Sequence, residues 1–258
     1  MYISLSKIFI RMKKDIITET RRIQEIMGII IESEETSFDL SNSDFSEEEM
    51  LKINKFISDL KQECSENNVT LLIPKTAGVK YSDSSVLTNG YFDSDTRVLA
   101  CATGKPISQW LLTLIHESSH MDQFIEGDPT FTNLLGLDET FKWIDGSEDV
   151  DFKLIDEEIK SSIAVEVNCE KRTVEKIKQY GLDFIASSEI YTQKSNAYAL
   201  FYLWMRKKRS WYKIGFEPYN IESVYSKMPK TFDIDYTELS PDILDAFDHL
   251  QILSSQEQ

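Results

Sequence analysis

Histidine is scarce in this chain, with three in 258 positions: His116, His120 and His249. Cysteine is equally sparse. Cys64, Cys101 and Cys169 share no metal-ligand spacing and cannot all pair, so a disulfide framework is excluded and reduced thiols in a cytoplasm are expected. No apolar run approaches the ~20 residues that span a membrane. Ile8-Phe9-Ile10 is too short for a signal-peptide core, and no small-residue cleavage site follows it. Positive charge is also short: 28 Lys and Arg face 44 Asp and Glu, a formal net charge of −16. Such a surface repels phosphates and argues against general nucleic-acid binding, while suiting neutral or basic partners. At 41% hydrophobic residues, the chain can still bury a substantial core.

Two of the three histidines fall in one short motif, His116-Glu117-Ser118-Ser119-His120, an HExxH pattern. On a helix, positions i and i+4 share a face, so both imidazoles can grip one metal ion. Glu117 then sits beside them, placed to take a proton from a metal-bound water.

The surrounding pattern is helical around one strand-rich stretch. Asp15 to Ile31 has apolar residues at helical spacing, and Met12-Lys13-Lys14-Asp15 reads as a more natural opening than the residues before it. Glu32 to Asp44 is an acidic, serine-rich linker. Ser46 and Glu49 form a capping box that opens a helix carrying Met50, Ile53, Phe56, Ile57 and Leu60. Val69 to Ile73 reads as a strand stopped by Pro74. Tyr91-Phe92 and Arg97 to Ala102 read as a hairpin around Asp93-Ser94-Asp95. A helix from about Ser108 to Glu126 carries the motif and ends at Gly127-Asp128-Pro129. Thr130 to Asp151 has no clear period and reads as a loop-rich insert beside the site. A long helix follows from Phe152 to Tyr180 with Gly181 as its stop, then another from Ser187 or Ser188 to about Lys208. Ser240-Pro241-Asp242 opens the last. The expected organisation is residues 1–45 as an N-terminal helix and linker, and 46–258 as one α+β domain, mostly helical, with a small antiparallel sheet beside the motif helix.

A two-histidine grip is incomplete, because catalytic zinc generally has three protein ligands and one open position. His249 lies on what reads as a polar helix edge and is expected at the surface. The long helix offers Glu166 and Glu170, four apart on one face within an apolar pattern of Ile159, Ile163, Val167, Val174 and Ile177. Carboxylates near a buried face are costly unless paired or metal-bound. The plainer alternatives are solvated helix glutamates, or pairing with Lys171 or Arg172. A separate cluster, Arg206-Lys207-Lys208-Arg209 with Lys213, Trp204, Trp211 and Tyr212, could hold a nucleic-acid single strand. The favoured reading is a helix C-terminus whose cations complement the dipole.

These residues resemble the gluzincin zinc metallopeptidases, in which HExxH on one helix is completed by a Glu from a second helix. Thr113, Ser118 and Ser119 fit that pattern; Asp122, two after the second His, departs from it and points to a more exposed helix end. The resemblance covers residues 96–126 and 155–175. It implies His116, His120 and Glu166 as zinc ligands, Glu117 as general base, and Glu170 as an acid bonded to a liganding histidine. The opening Ile17 to Ile29 resembles starts common among tailed-phage proteins.

The implied activity is peptide-bond hydrolysis on a peptide or protein substrate in the cytoplasm, with no membrane partner. The strand Arg97 to Ala102 is expected to hold an extended peptide by backbone pairing. Tyr198 or Tyr202, one turn apart on a later helix, is a candidate transition-state donor, with core packing as the alternative role. Three other readings remain open: a metal-stabilised interaction protein without catalysis (a virion or host-modifying component), a single-strand binder through 206–213, and a metal-dependent amidase using the same site.

Overall fold

The computed structural model describes residues 45–81, 87–213 and 215–256, all within a unit spanning Asp44–Gln258. The helix expected over 15–31, the linker after it and the opening at Met12 lie outside the described residues.

Helix α1 (Glu47–Glu66) begins at the expected capping box: the Ser46 hydroxyl accepts from the Glu49 amide, and the Glu49 carboxylate accepts from the Ser46 amide. Its apolar stripe, Ile53, Phe56, Ile57, Leu60 and Cys64, is buried. Strand β1 (Thr70–Leu72) follows, then a two-stranded ribbon of β2 (Val79–Lys80) and β3 (Leu87–Thr88), and the hairpin of β4 (Gly90–Asp93) and β5 (Val98–Cys101). Asp93 shapes the hairpin turn, its Oδ1 accepting from the amides of Asp95 and Thr96 at 2.9 and 3.2 Å.

The main sheet has the order β1-β5-β4. Its hairpin is antiparallel as expected, with Gly90 opposite Cys101 and Asp93 opposite Val98, but β1 joins β5 in parallel, so the sheet is mixed. The parallel pair follows from connectivity: β1 ends at a proline, and the chain returns through β2 and β3 before the hairpin places β5 beside it.

Helix α2 (Ile107–Ile125) carries the motif and buries Trp110, Leu111, Leu114, Ile115 and Met121. Thr130 to Asp151 corrects the expectation of a loop. It holds α3 (Pro129–Thr132) and α4 (Asp138–Ile144). Residue Leu137, at the start of α4, gives no side-chain cap. The cap comes instead from Glu158 on the next helix, whose buried carboxylate accepts from the Glu139 and Thr140 amides at 3.1 and 2.9 Å and from the Thr140 hydroxyl at 2.7 Å. A cap supplied from another helix leaves no local signal to read.

Helix α5 (Phe152–Gln179) starts at Asp151, which accepts from Lys153 and Leu154, and stops at Gly181 in the left-handed region at φ +63°. Helix α6 (Ser188–Lys208) is capped by Ser187. After α7 (Glu222–Tyr225), α8 (Pro241–Gln256) has Pro241 at its first position, as read from the sequence. Ile155, Ile159, Ile163 and Val167 of α5 pack with Leu200, Phe201 and Trp204 of α6 and Phe247 of α8 to form the largest core cluster. The architecture is α+β and helix-dominated. Among the described residues, no helix is long and apolar enough to cross a membrane.

The borrowed cap gives a direct test. Glu158→Ala leaves two buried amides and a hydroxyl without their acceptor, and is expected to lower unfolding free energy by about 2 kcal/mol. The exposed neighbour Glu157→Ala should change it by less than about 0.5 kcal/mol. Urea denaturation of both variants measures the difference; equal effects would show that Glu158 is not a cap.

Candidate metal centre

Helices α2 and α5 lie against each other, and small polar residues hold them there. Ser118 and Ser119, the interior of the motif, are fully buried. Each returns its own hydroxyl proton to the Ile115 carbonyl, at 2.7 and 2.9 Å. On the α5 side, Thr173 donates to the Ser119 hydroxyl at 3.1 Å and Lys176 donates to the Ser118 hydroxyl at 2.9 Å. Lys176 also pairs with Asp122 at 2.8 Å, with both side chains 14% exposed. Asp122 therefore does not mark an exposed helix end. It is a partly buried anion whose partner comes from α5.

This packing brings His116 and His120 against Glu166. The Glu166 Oε2 atom lies 3.8 Å from Nε2 of His116 and 3.8 Å from Nε2 of His120. It is buried and accepts no hydrogen bond. Burial pushes the Glu166 carboxyl up, against the pull of the two imidazoles.

The other face of each imidazole is also occupied. Nδ1 of His120 is 2.8 Å from Gln123 Oε1. The Gln123 amide group donates to the Val165 carbonyl at 3.0 Å and to Asn168 Oδ1 at 2.8 Å, which fixes the oxygen toward the ring. Nδ1 of His120 thus carries the proton, and Nε2 is the atom offered to a ligand. Nδ1 of His116 faces Glu170 Oε1 at 3.4 Å and the Cys169 sulfur at 3.7 Å. Glu170 is buried, yet its carboxyl is held below the usual range by His116 and by the hydroxyls of Tyr191 and Ser195. Glu170 therefore lies on the Nδ1 side of the His116 ring.

Cys169 also stands at the site, although the three cysteines share no metal-ligand spacing along the sequence. A ring nitrogen of each histidine and the Cys169 sulfur all lie within 4.8 Å of one another, so His116, His120 and Cys169 form a group that could hold a metal ion. Linear spacing hid it because the histidines and the cysteine sit on different helices. Gln123 was missed as well, although its position one turn after His120 was a readable signal.

Burial works against protonation of both histidines, but Cys169 with Glu170 at His116, and Cys169 with Glu166 at His120, outweigh it. His116 is raised well above its ordinary value and His120 to about 10. Acidic side chains therefore flank both imidazoles and favour protons on the rings, which a metal entering the site would displace.

Glu117 is half-buried at the mouth of the site, beside β4. A Cβ at Gly90 would come within 2.8 Å of Thr113 Cγ2 and 3.2 Å of Glu117 Cγ, so only glycine lets the strand approach this closely. Strand β5 has both edges paired, by β1 and β4, and cannot hold an extended peptide. Among the described strands, β4 is the edge next to the motif helix.

The hydroxyls of Tyr198 and Tyr202 are 2.9 Å apart, and burial raises both above the usual tyrosine range, with Glu166 adding to the shift. Both phenols remain protonated donors near neutrality. Tyr219, not anticipated from the sequence, packs its ring edge-on to Tyr198 at 5.8 Å and lies within electrostatic reach of His116. His249 is exposed on α8, as expected.

The basic and aromatic cluster after α6 is largely committed to internal contacts. Arg206 pairs with Asp156 at 2.7 Å and Lys208 with Asp248 at 2.9 Å. Arg209 pairs with Glu148 at 2.8 Å and stacks 4.0 Å over Trp143. Trp211 and Tyr212 pack on Phe201. Comparison of the chain with protein-family models, with curated proteins and with solved structures finds no match in any of the three.

Because the imidazoles hold protons far above neutrality, an entering metal must displace them. Zinc affinity is therefore expected to rise by about tenfold or more per pH unit between pH 6 and 8, and Gln123→Leu to weaken it by about tenfold to hundredfold. Competition against a chromophoric chelator reads both. An affinity independent of pH would remove the histidines from the ligand set.

Proposed function

We propose that the protein is a zinc-dependent metallopeptidase of the gluzincin type, with His116, His120 and Glu166 as ligands. The observation that carries this reading is Glu166 Oε2: buried, without a hydrogen-bond partner, and equidistant at 3.8 Å from the two Nε2 atoms. His116 and His120 would hold the metal through their Nε2 atoms and Glu166 through Oε2. The donor set of two imidazoles and a carboxylate suits zinc, which would lower the pKa of its bound water and polarise a carbonyl.

The rest of the chemistry belongs to the chain. Glu117 takes a proton from the water and passes it to the leaving amine. Gln123 and Glu170 hold the imidazoles in orientation through their Nδ1 atoms. The edge of β4 offers backbone groups for an extended peptide, and Gly90 keeps that strand close to Glu117. Tyr198 or Tyr202 supplies a hydrogen bond to the developing oxyanion.

A His116, His120 and Cys169 ligand set is the competing arrangement, and it too would supply three protein ligands. Its sulfur lies 3.7 Å from Nδ1 of His116, whereas Glu166 Oε2 lies 3.8 Å from both Nε2 atoms. The single-strand reading loses ground because Arg206, Lys208 and Arg209 are already paired.

The test is metal content with activity. Protein purified without added metal is expected to hold about one zinc per chain, lost in His120→Ala and Glu166→Ala and retained in Cys169→Ser. Glu117→Gln should keep the metal while lowering hydrolysis of a peptide library by about 10²–10⁴-fold. Gly90→Ala should also keep the metal but lower turnover, by forcing β4 away from Glu117. Zinc lost only in Cys169→Ser would replace Glu166 with the sulfur.

A further inference from the structure

A second concavity, independent of the proposed hydrolysis, lies on the other side of α5. Two residues along a helix is about 200° of turn, so Asn168 faces nearly opposite to Glu166. The cavity, about 990 Å³, is bounded by α5, the end of α6 and the segment Tyr236–Leu239, with Thr130 at one side. None of His116, Glu117, His120, Glu166 or Glu170 lines it.

Its floor is apolar: Ile159, Ile163, Ala164, Val167, Leu203 and Leu239. Its rim is cationic, with Lys160, Lys171, Arg206 and Lys207 against two carboxylates, Asp156 and Glu238. Asp156 is already bound to Arg206 at 2.7 Å. Among the described residues, Lys160 and Lys171 form no ion pair, and both are exposed. In a chain of net charge −16, unpaired lysines gathered around one apolar hollow are the reverse of the general surface. An apolar body would lie on the floor and an anionic head among the lysines, the arrangement that long basic side chains with apolar stems accommodate.

We propose that this cavity binds an anionic amphiphile, its acyl chain seated on Ile159, Ile163, Val167 and Leu203 and its acid head held by Lys160, Lys171 and Lys207. The wall is not isolated from the rest of the molecule. Asn168 Oδ1 accepts from Gln123 at 2.8 Å, and Gln123 in turn meets His120 at 2.8 Å. A ligand that engages Asn168 would bear on the imidazole through one intervening side chain.

The experiment is calorimetric titration of the full chain with decanoate, with 1-decanol as the uncharged control, and sedimentation with phosphatidylcholine vesicles with and without phosphatidylglycerol. Saturable binding of decanoate at one site is expected, with 1-decanol about tenfold or more weaker. Lys160→Glu with Lys171→Glu should weaken decanoate about tenfold or more, by reversing charge at the rim. Ala164→Trp, at an exposed position on the floor, should abolish it by filling the hollow without touching the core. Absence of saturable decanoate binding, or binding unchanged in both variants, would overturn the proposal. Binding to phosphatidylglycerol vesicles but not to free decanoate would also overturn it, placing the lysines at a membrane surface instead.

Discussion

Two carboxylates, Glu166 and Glu170, are buried on one face of α5, and the packing of the molecule around α2 follows from how their charge is met. An isolated buried carboxylate costs several kcal/mol, and two on successive turns cannot both be left uncompensated. The compensation comes from the imidazoles of His116 and His120 on α2, joined at Glu170 by the hydroxyls of Tyr191 and Ser195 on α6. That demand fixes the relative rotation of α2 and α5, since turning either helix by one residue would separate nitrogen from oxygen by several ångströms. Ser118, Ser119, Thr173 and Lys176 secure the same register from the flanks. The helix pair is thus held by polar contacts at its centre and by aliphatic packing elsewhere. Nonspecific apolar contact between two helices would not define this rotation.

The motif and most helices were legible because their signals are local. The capping box at Ser46 and Glu49, the glycine after α5 and the proline opening α8 each act within one turn of the residue that carries the signal. The HExxH spacing is local too, and so is the four-residue step from Glu166 to Glu170. What the sequence hid is what depends on two distant segments meeting. Helix α4 owes its first turn to Glu158, nearly twenty positions later in the chain. Cys169 enters the site only because α5 crosses α2 at that height, and no spacing rule connects it to His116. The parallel partner of β5 was invisible for the same reason, and with it the fact that β4, not β5, is the edge beside Glu117.

Asp122 shows how a local rule can mislead. A charged residue two positions past a metal-ligand pattern reads as exposure when only the helix is considered. In the folded chain it is the inner half of an ion pair with Lys176, which also bonds Ser118. The basic cluster from Arg206 to Arg209 misleads in the opposite sense. Its charge density reads as a binding surface, but α4, α5 and α8 supply carboxylates and aromatic rings that use most of it. Charge runs report what a segment can attract; only the packed neighbours decide whether the partner is internal.

Helix α5 therefore carries two different electrostatic problems on opposite sides. One face concentrates carboxylates that need a cation, and the other exposes Lys160 and Lys171 around an apolar hollow. A helix amphipathic in charge as well as in hydropathy is a rigid link between the two, because its interior residues Ile155, Ile159 and Val167 are locked in the main core and cannot rotate to relieve either face. The side chains that span it are Asn168 and Gln123, with Arg172 holding Asn168 Oδ1 at 2.8 Å and Asp128 at 3.1 Å. Asn168 Oδ1 accepts from Gln123 and Arg172 at once, one donor for each lone pair. The orientation of His120 is thus tied through Gln123 to Asn168, a residue that also lines the hollow on the other side of α5.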